Sequence, residues 1–109
     1  MTIVDSDLLV DVASVPEGGA LVVRVHDRLR VAIFRVGDAV YAIDDICPHR
    51  GASLGEGRLF GTVVSCPSHG FPVDVTTGRC PNNPLLRVRS FPVTREGDTV
   101  RVACAPPAP

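Results

Sequence analysis

The sequence predicts an all-β domain, and three observations carry that reading. Eighteen valines accompany ten prolines and ten glycines in 109 residues, a mixture that disfavours helix and suits short strands broken by turns. The apolar runs are short and end in clusters such as Gly37-Asp38 and Arg95-Glu96-Gly97-Asp98, which carry turn chemistry. The length leaves room for a single domain, 1–109, able to bury a stable core with little margin.

Along the chain, Leu21 to Val25 and Leu29 to Val36 read as a hairpin across His26-Asp27-Arg28, and Gly37-Asp38 turns the chain into a third strand, Ala39 to Ile43. Three consecutive antiparallel strands make a meander. Towards the other end, Leu86 to Thr94 and Thr99 to Ala103 flank Arg95-Glu96-Gly97-Asp98 as a second hairpin, expected to return to the first sheet. The tail Ala105-Pro106-Pro107-Ala108-Pro109 is poor in amide donors and is expected to fray.

Charge narrows the function. The formal net charge is -1, and all eleven basic residues are arginine, with no basic run to suggest nucleic acid or an anionic membrane as partner. Asp5, Asp7 and Asp11 precede the first basic residue, Arg24, the reverse of a secretory signal. No apolar stretch approaches the roughly 20 residues needed to cross a bilayer, so a cytoplasmic protein is expected. In that reducing compartment four cysteines suggest metal ligands or small buried residues rather than disulfides.

Between the two strand blocks, residues 45 to 84 differ in character, holding six of the ten glycines together with Pro48, Pro67, Pro72, Pro81 and Pro84. Glycine gathers where backbone turns tightly or approaches something closely. Such a segment is expected to be loops organised around a metal centre, inserted in a base formed by residues 1–44 and 85–109.

Its chemistry lies in Cys47-Pro48-His49-Arg50-Gly51 and Cys66-Pro67-Ser68-His69-Gly70. Each loop offers one thiolate and one imidazole, and each pairs a stiffening proline after the Cys with a permissive glycine after the His. Sixteen residues separate His49 from Cys66, room for a strand pair, Arg58 to Phe60 and Thr62 to Cys66, that brings the loops together.

Cys-x-His, sixteen residues, then Cys-x-x-His resembles the signature of Rieske-type ferredoxins. The similarity extends through Cys-Pro-His-Arg-Gly-Ala, Cys-Pro-Ser-His-Gly-Phe, Asp74 and Thr77-Gly78. It implies a Rieske-type fold of small antiparallel sheets with an inserted cluster-binding subdomain. It also implies a [2Fe–2S] cluster whose inner iron takes Cys47 and Cys66 and whose outer iron takes His49 and His69. Two neutral imidazoles in place of two thiolates make the centre two units less negative. Such centres lie at about -150 to +300 mV, against about -400 mV for plant-type ferredoxins. Ala52, Ser68, Phe71 and Val73 stand where the high-potential branch carries a disulfide, a Ser and a Tyr, which places the expected potential at the low end.

The resemblance further implies a soluble, monomeric one-electron carrier between a flavin-dependent NAD(P)H reductase and the terminal oxygenase of a dioxygenase system, making transient protein contacts. A second reading is a small subunit of an assimilatory nitrite reductase, and a third a zinc-holding interaction module. Zinc is disfavoured because its ligands usually come as Cys–Cys and His–His pairs, whereas here the types alternate. An oxygenase would need a second iron, commonly held by two His and a carboxylate, and only His26 remains. No dinucleotide-binding glycine motif is present, so the chain is not expected to take hydride from NADH unaided, and it reads as an electron-carrier component rather than an enzyme.

The remaining candidates have plainer readings. His26 reads as a solvated turn residue. Cys80 reads as a small buried residue more readily than as a neighbour of the cluster, and Cys104 as core filler. Pro81-Asn82-Asn83-Pro84 is either an ordinary turn or the third loop that shields the cluster in this family. Residues 47 to 80 carry +1 and residues 1 to 46 carry -4, a gradient that could orient a carrier on its partner.

Overall fold

The computed structural model describes residues 7–47, 51–68 and 70–104. In chain order the strands are β1 (Leu8–Asp11), β2 (Ala20–His26), β3 (Leu29–Val36), β4 (Ala39–Asp44), β5 (Arg58–Phe60) and β6 (Val63–Ser65). They continue as β7 (Pro72–Asp74), β8 (Arg79–Cys80), β9 (Asn83–Arg87), β10 (Ser90–Phe91), β11 (Val93–Glu96) and β12 (Thr99–Val102). Single 3-10 turns occur at Val12–Ser14 and Leu54–Glu56. Every named strand pair is antiparallel. Among the described residues no helix is long and apolar enough to cross a membrane.

The expected meander is present as β2-β3-β4, with Val23 opposite Val31 and Ile33 opposite Ala42. Its first turn is closed by the Arg28 amide donating to Nδ1 of His26 at 3.1 Å, which gives His26 a turn role. The expected strand from Leu86 to Thr94 is instead divided among three pairings. Leu86 and Arg87 end β9, which pairs with β8; Ser90 and Phe91 lie opposite Ile43 and Ala42 of β4; and the chain then crosses to pair with β12. Pro92, with no N–H to give a ladder, sits at the crossing, and its carbonyl accepts the Ala103 amide. Only β10 therefore returns to the meander, in the order β10-β4-β3-β2, while β11 and β12 form a separate sheet, β1-β12-β11. Residues 105–109 lie outside those described.

Strand period then divides the core in two. Val31 and Ile33 of β3 join Val10, Val12, Leu29, Phe91, Val100 and Val102 in one buried cluster. Their neighbours Ala32 and Phe34 join Ile43, Leu54, Val64, Val73 and Val75 in a second. Because successive side chains on a strand point to opposite faces, β3 is apolar on both sides. It serves as the wall shared by the two cores. The second cluster takes Val64 and Val73 from the sheet β5-β6-β7, drawn from the glycine-rich segment, and the ribbon β8-β9 begins in that segment and ends beyond it at Arg87.

Gly78 closes this second unit. Its amide donates to the Asp74 carbonyl at 2.7 Å, its own carbonyl accepts the Val88 amide at 2.7 Å, and its φ is +80°. A Cβ here would both strain the backbone and strike the Val88 carbonyl. Gly78→Ala is expected to cost about 2 kcal/mol or more, read as a lower urea midpoint at unchanged m-value.

Candidate metal centre

Cys47 and Cys66 are placed by the ends of two strands. β4 delivers the chain to Ile46, which bridges to Ser53, so that the loop of Cys47 leaves and returns at one point. β6 ends at Ser65 and the next residue is Cys66, with β7 returning at Pro72. Both cysteines are 1–2% exposed and both belong to the second core cluster. In these loops Gly51, Pro67, Ser68 and Gly70 are exposed.

The two loops are closed by the same pair of hydrogen bonds. The Cys47 amide donates to the Ala52 carbonyl and the Cys66 amide to the Phe71 carbonyl, each at 2.8 Å. The Gly51 amide donates back to the Cys47 carbonyl and the Gly70 amide to the Cys66 carbonyl, again at 2.8 Å. Both glycines have φ +72°, a conformation that costs a residue with a side chain about 1–2 kcal/mol. The loops differ by one residue in Cys-to-His spacing, yet each cysteine is anchored at both backbone groups in the same way.

A buried charge supports the first loop. Asp45, two residues before Cys47, is 0% exposed. Its Oδ1 accepts the Ser53 hydroxyl at 2.8 Å and the Gly55 amide at 2.7 Å. Its backbone accepts the Leu54 amide and donates to the Arg30 carbonyl. Oδ2 lies 3.2 Å from Nε of Arg30, close enough for an ion pair but misaligned for a hydrogen bond. Gly55 has no room for a side chain, since a Cβ would meet Val22 and Asp45. Asp45 thus ties the entry of the loop to its exit and to β3. The sequence alone does not single it out. Asp44 beside it ends β4 half-buried, its carboxylate accepting the Ile46 amide at 2.9 Å; only the contacts with Ser53 and Gly55 set Asp45 apart.

His49 and His69 lie outside the described residues. Cys80 and Cys104 are buried thiols, at 3% and 0% exposure, with Cys104 in the first core cluster. They fit the small-residue reading, and no disulfide joins them. Pro81 and Asn82 form the turn between β8 and β9, where Oδ1 of Asn83 accepts the Leu85 amide at 3.1 Å. Asp74 and Thr77, also singled out by resemblance, shape the turn before β8. The Asp74 carboxylate accepts the Thr76 amide and hydroxyl, and the Thr77 hydroxyl accepts the Arg79 amide.

Two buried cysteines held by duplicate backbone anchors suit a centre approached from two equivalent sides. Thiolates buried among apolar side chains would be costly on their own, and a cationic metal centre removes that cost. The donor set therefore fits an iron–sulfur cluster with its sulfur ligands inward.

Comparison with known proteins agrees with this geometry. A family model described as Rieske [2Fe-2S] domain matches residues 7–92. The ferredoxin component of a naphthalene 1,2-dioxygenase system from Pseudomonas aeruginosa is 35% identical over 89 residues, covering 81% of this chain and 85% of that protein. A chain of the complex of reduced oxygenase and oxidized ferredoxin in carbazole 1,9a-dioxygenase superposes with a TM-score of 0.84 at 33% identity, covering 96% and 99% of the two chains. A proposed NADH-dependent nitrite reductase small subunit from Mycobacterium tuberculosis reaches a TM-score of 0.77 at 22% identity over 90% and 96%, a likeness of fold.

Proposed function

Because the chain belongs to the Rieske [2Fe-2S] domain family and is an electron carrier rather than a catalyst, we propose that Cys47, Cys66, His49 and His69 hold its [2Fe–2S] cluster. When bound, that cluster takes up and gives back one electron. The observation that carries the assignment is the duplicate closure of the two cysteine loops. The backbone fixes each cysteine at its amide and carbonyl, the second core keeps water from the sulfurs, and Gly51, Pro67, Ser68 and Gly70 of the loops are exposed. Residues 45–84 form the cluster-binding part, set on a base of 1–44 and 85–109.

The carrier works as a cytoplasmic monomer, accepting electrons from a flavin-dependent NAD(P)H reductase and passing them singly to a terminal oxygenase. The names of its relatives support this reading; the nitrite reductase alternative rests on likeness of fold at 20–22% identity. Reconstitution tests it: purified protein should restore electron flow from such a reductase to an oxygenase, and failure with dioxygenase components alongside success in a nitrite reductase would reverse the assignment.

Ala52 and Phe71 meet the loops through their carbonyls, and neither side chain carries a polar donor. With Val73 equally apolar, the midpoint is expected near the low end of the family range, about -150 mV. A redox titration giving a midpoint well above zero would reject this.

A further inference from the structure

The ribbon β8-β9 places Arg79 directly opposite Arg87. Like charges facing one another across a strand pair are destabilising, and among the described residues neither has a carboxylate within ion-pair distance. The two, with Arg89, Thr77, Val88 and Ser90, line an open groove of about 470 Å³ that no acidic side chain among the described residues lines. Arg89 is held in place by its Nη2 donating to the Cys104 carbonyl and by its position 4.6 Å over the Phe91 ring. Charge on an exposed strand can serve only to prevent edge pairing. That purpose does not require two like charges in one register, nor a third lining the same groove.

We propose that this groove is a docking surface for a carboxylate-bearing face of a redox partner protein. β8 runs from the groove into the turn at Pro81, so the groove borders the segment 45–84 that holds both cysteine loops. Exposed arginines on an open ribbon suit a transient, salt-sensitive contact of the small area usual for electron transfer. The identity of the partner rests on the electron-carrier reading; the groove itself does not.

The test uses the holoprotein and a hexaglutamate peptide, followed through the backbone amide spectrum. Saturable shifts are expected at residues 77–79 and 87–90 and are expected to vanish in high salt. Arg79→Gln with Arg87→Gln should weaken the peptide about fivefold or more, while Arg24→Gln with Arg28→Gln, which changes net charge equally at exposed sites elsewhere, should leave it unchanged. Equal weakening in both pairs, or stronger binding of inorganic phosphate at matched concentration, would overturn the proposal. In stopped flow, the first pair should also slow transfer of one electron from the reduced protein to hexacyanoferrate(III), yielding hexacyanoferrate(II), more than the control pair does; equal rates would overturn it. Relief of the like-charge contact should hold or raise Tm, and a fall would make the pair structural. Absence of the reduced-state paramagnetic signal from the parent protein would instead sink the cluster assignment, leaving the peptide titration readable.

Discussion

Cys47→Ala and Cys66→Ala proteins are expected to fold and yet purify colourless, without the paramagnetic [2Fe–2S] signal that the reduced parent should give. Folding is expected to survive because the first core cluster, built on Val31, Ile33, Phe91, Val100 and Val102, contains neither cysteine. In the second cluster, alanine removes one buried sulfur among apolar neighbours, and such a truncation costs on the order of 1 kcal/mol. A ligand cannot be approximated in the same way, because alanine offers no donor to the metal. Circular dichroism and iron content therefore separate the two roles: retained sheet signal with iron lost supports ligation, while retained iron with either variant removes that cysteine from the site. Histidine carries the other half of the prediction. His49→Cys with His69→Cys restores two negative charges to the centre, and any cluster that assembles should titrate well below the parent, towards about -400 mV. An unchanged midpoint in that double variant would show that the imidazoles are not ligands.

The meander and the two cysteine loops could be read from the sequence because their determinants are local. Gly37-Asp38 and Arg95-Glu96-Gly97-Asp98 encode their own turns, with Gly37 and Gly97 at φ +60° and +67°, and the strands they join are neighbours in the chain. β1 escaped notice because its partner is remote: Leu8 lies opposite Val102, and four residues ending in an aspartate carry little pattern by themselves. The division of Leu86 to Thr94 was hidden for a related reason. Leu86, Phe91 and Val93 look continuous, and only the pairing of Phe91 with Ala42 and of Val93 with Val102 shows that the run serves two sheets. Pro92 was the visible clue, since proline within an apolar run argues against a single strand. The functional residues divide in the same manner. Spacing exposes Cys47 and Cys66, whereas Asp45 becomes recognisable only through Ser53 and Gly55, eight and ten residues further on.

Asp45→Ala is expected to be the most destabilising single change at the base of the first loop, at about 2–5 kcal/mol. The substitution strands the Ser53 hydroxyl and the Gly55 amide at once. A domain of this size has roughly 5–15 kcal/mol of total stability, so much of it would be forfeited. The two partners of the ion pair should not respond equally. The Arg30 side chain is 33% exposed and can turn to water, whereas that of Asp45 is 0% exposed and cannot. Arg30→Ala leaves Oδ1 its two donors and deprives only Oδ2 of its partner, whereas Asp45→Ala leaves two donors without an acceptor, so Arg30→Ala should cost less. Asp45→Asn preserves the acceptor facing Ser53 and Gly55 but sets an amide against Nε of Arg30, or the reverse if it flips, giving an intermediate loss of about 1–3 kcal/mol. Urea unfolding of the three variants gives the order directly. The consequence for function follows from position: Asp45 precedes Cys47 by two residues, and Ser53 follows the Ala52 carbonyl that receives the Cys47 amide. Loosening this clamp frees both ends of the loop, so visible absorbance should bleach faster under chelator in Asp45→Asn than in the parent. An Asp45→Ala protein within about 0.5 kcal/mol of the parent, a change typical of uninvolved surface sites, would show that the loop is held by its backbone bonds alone.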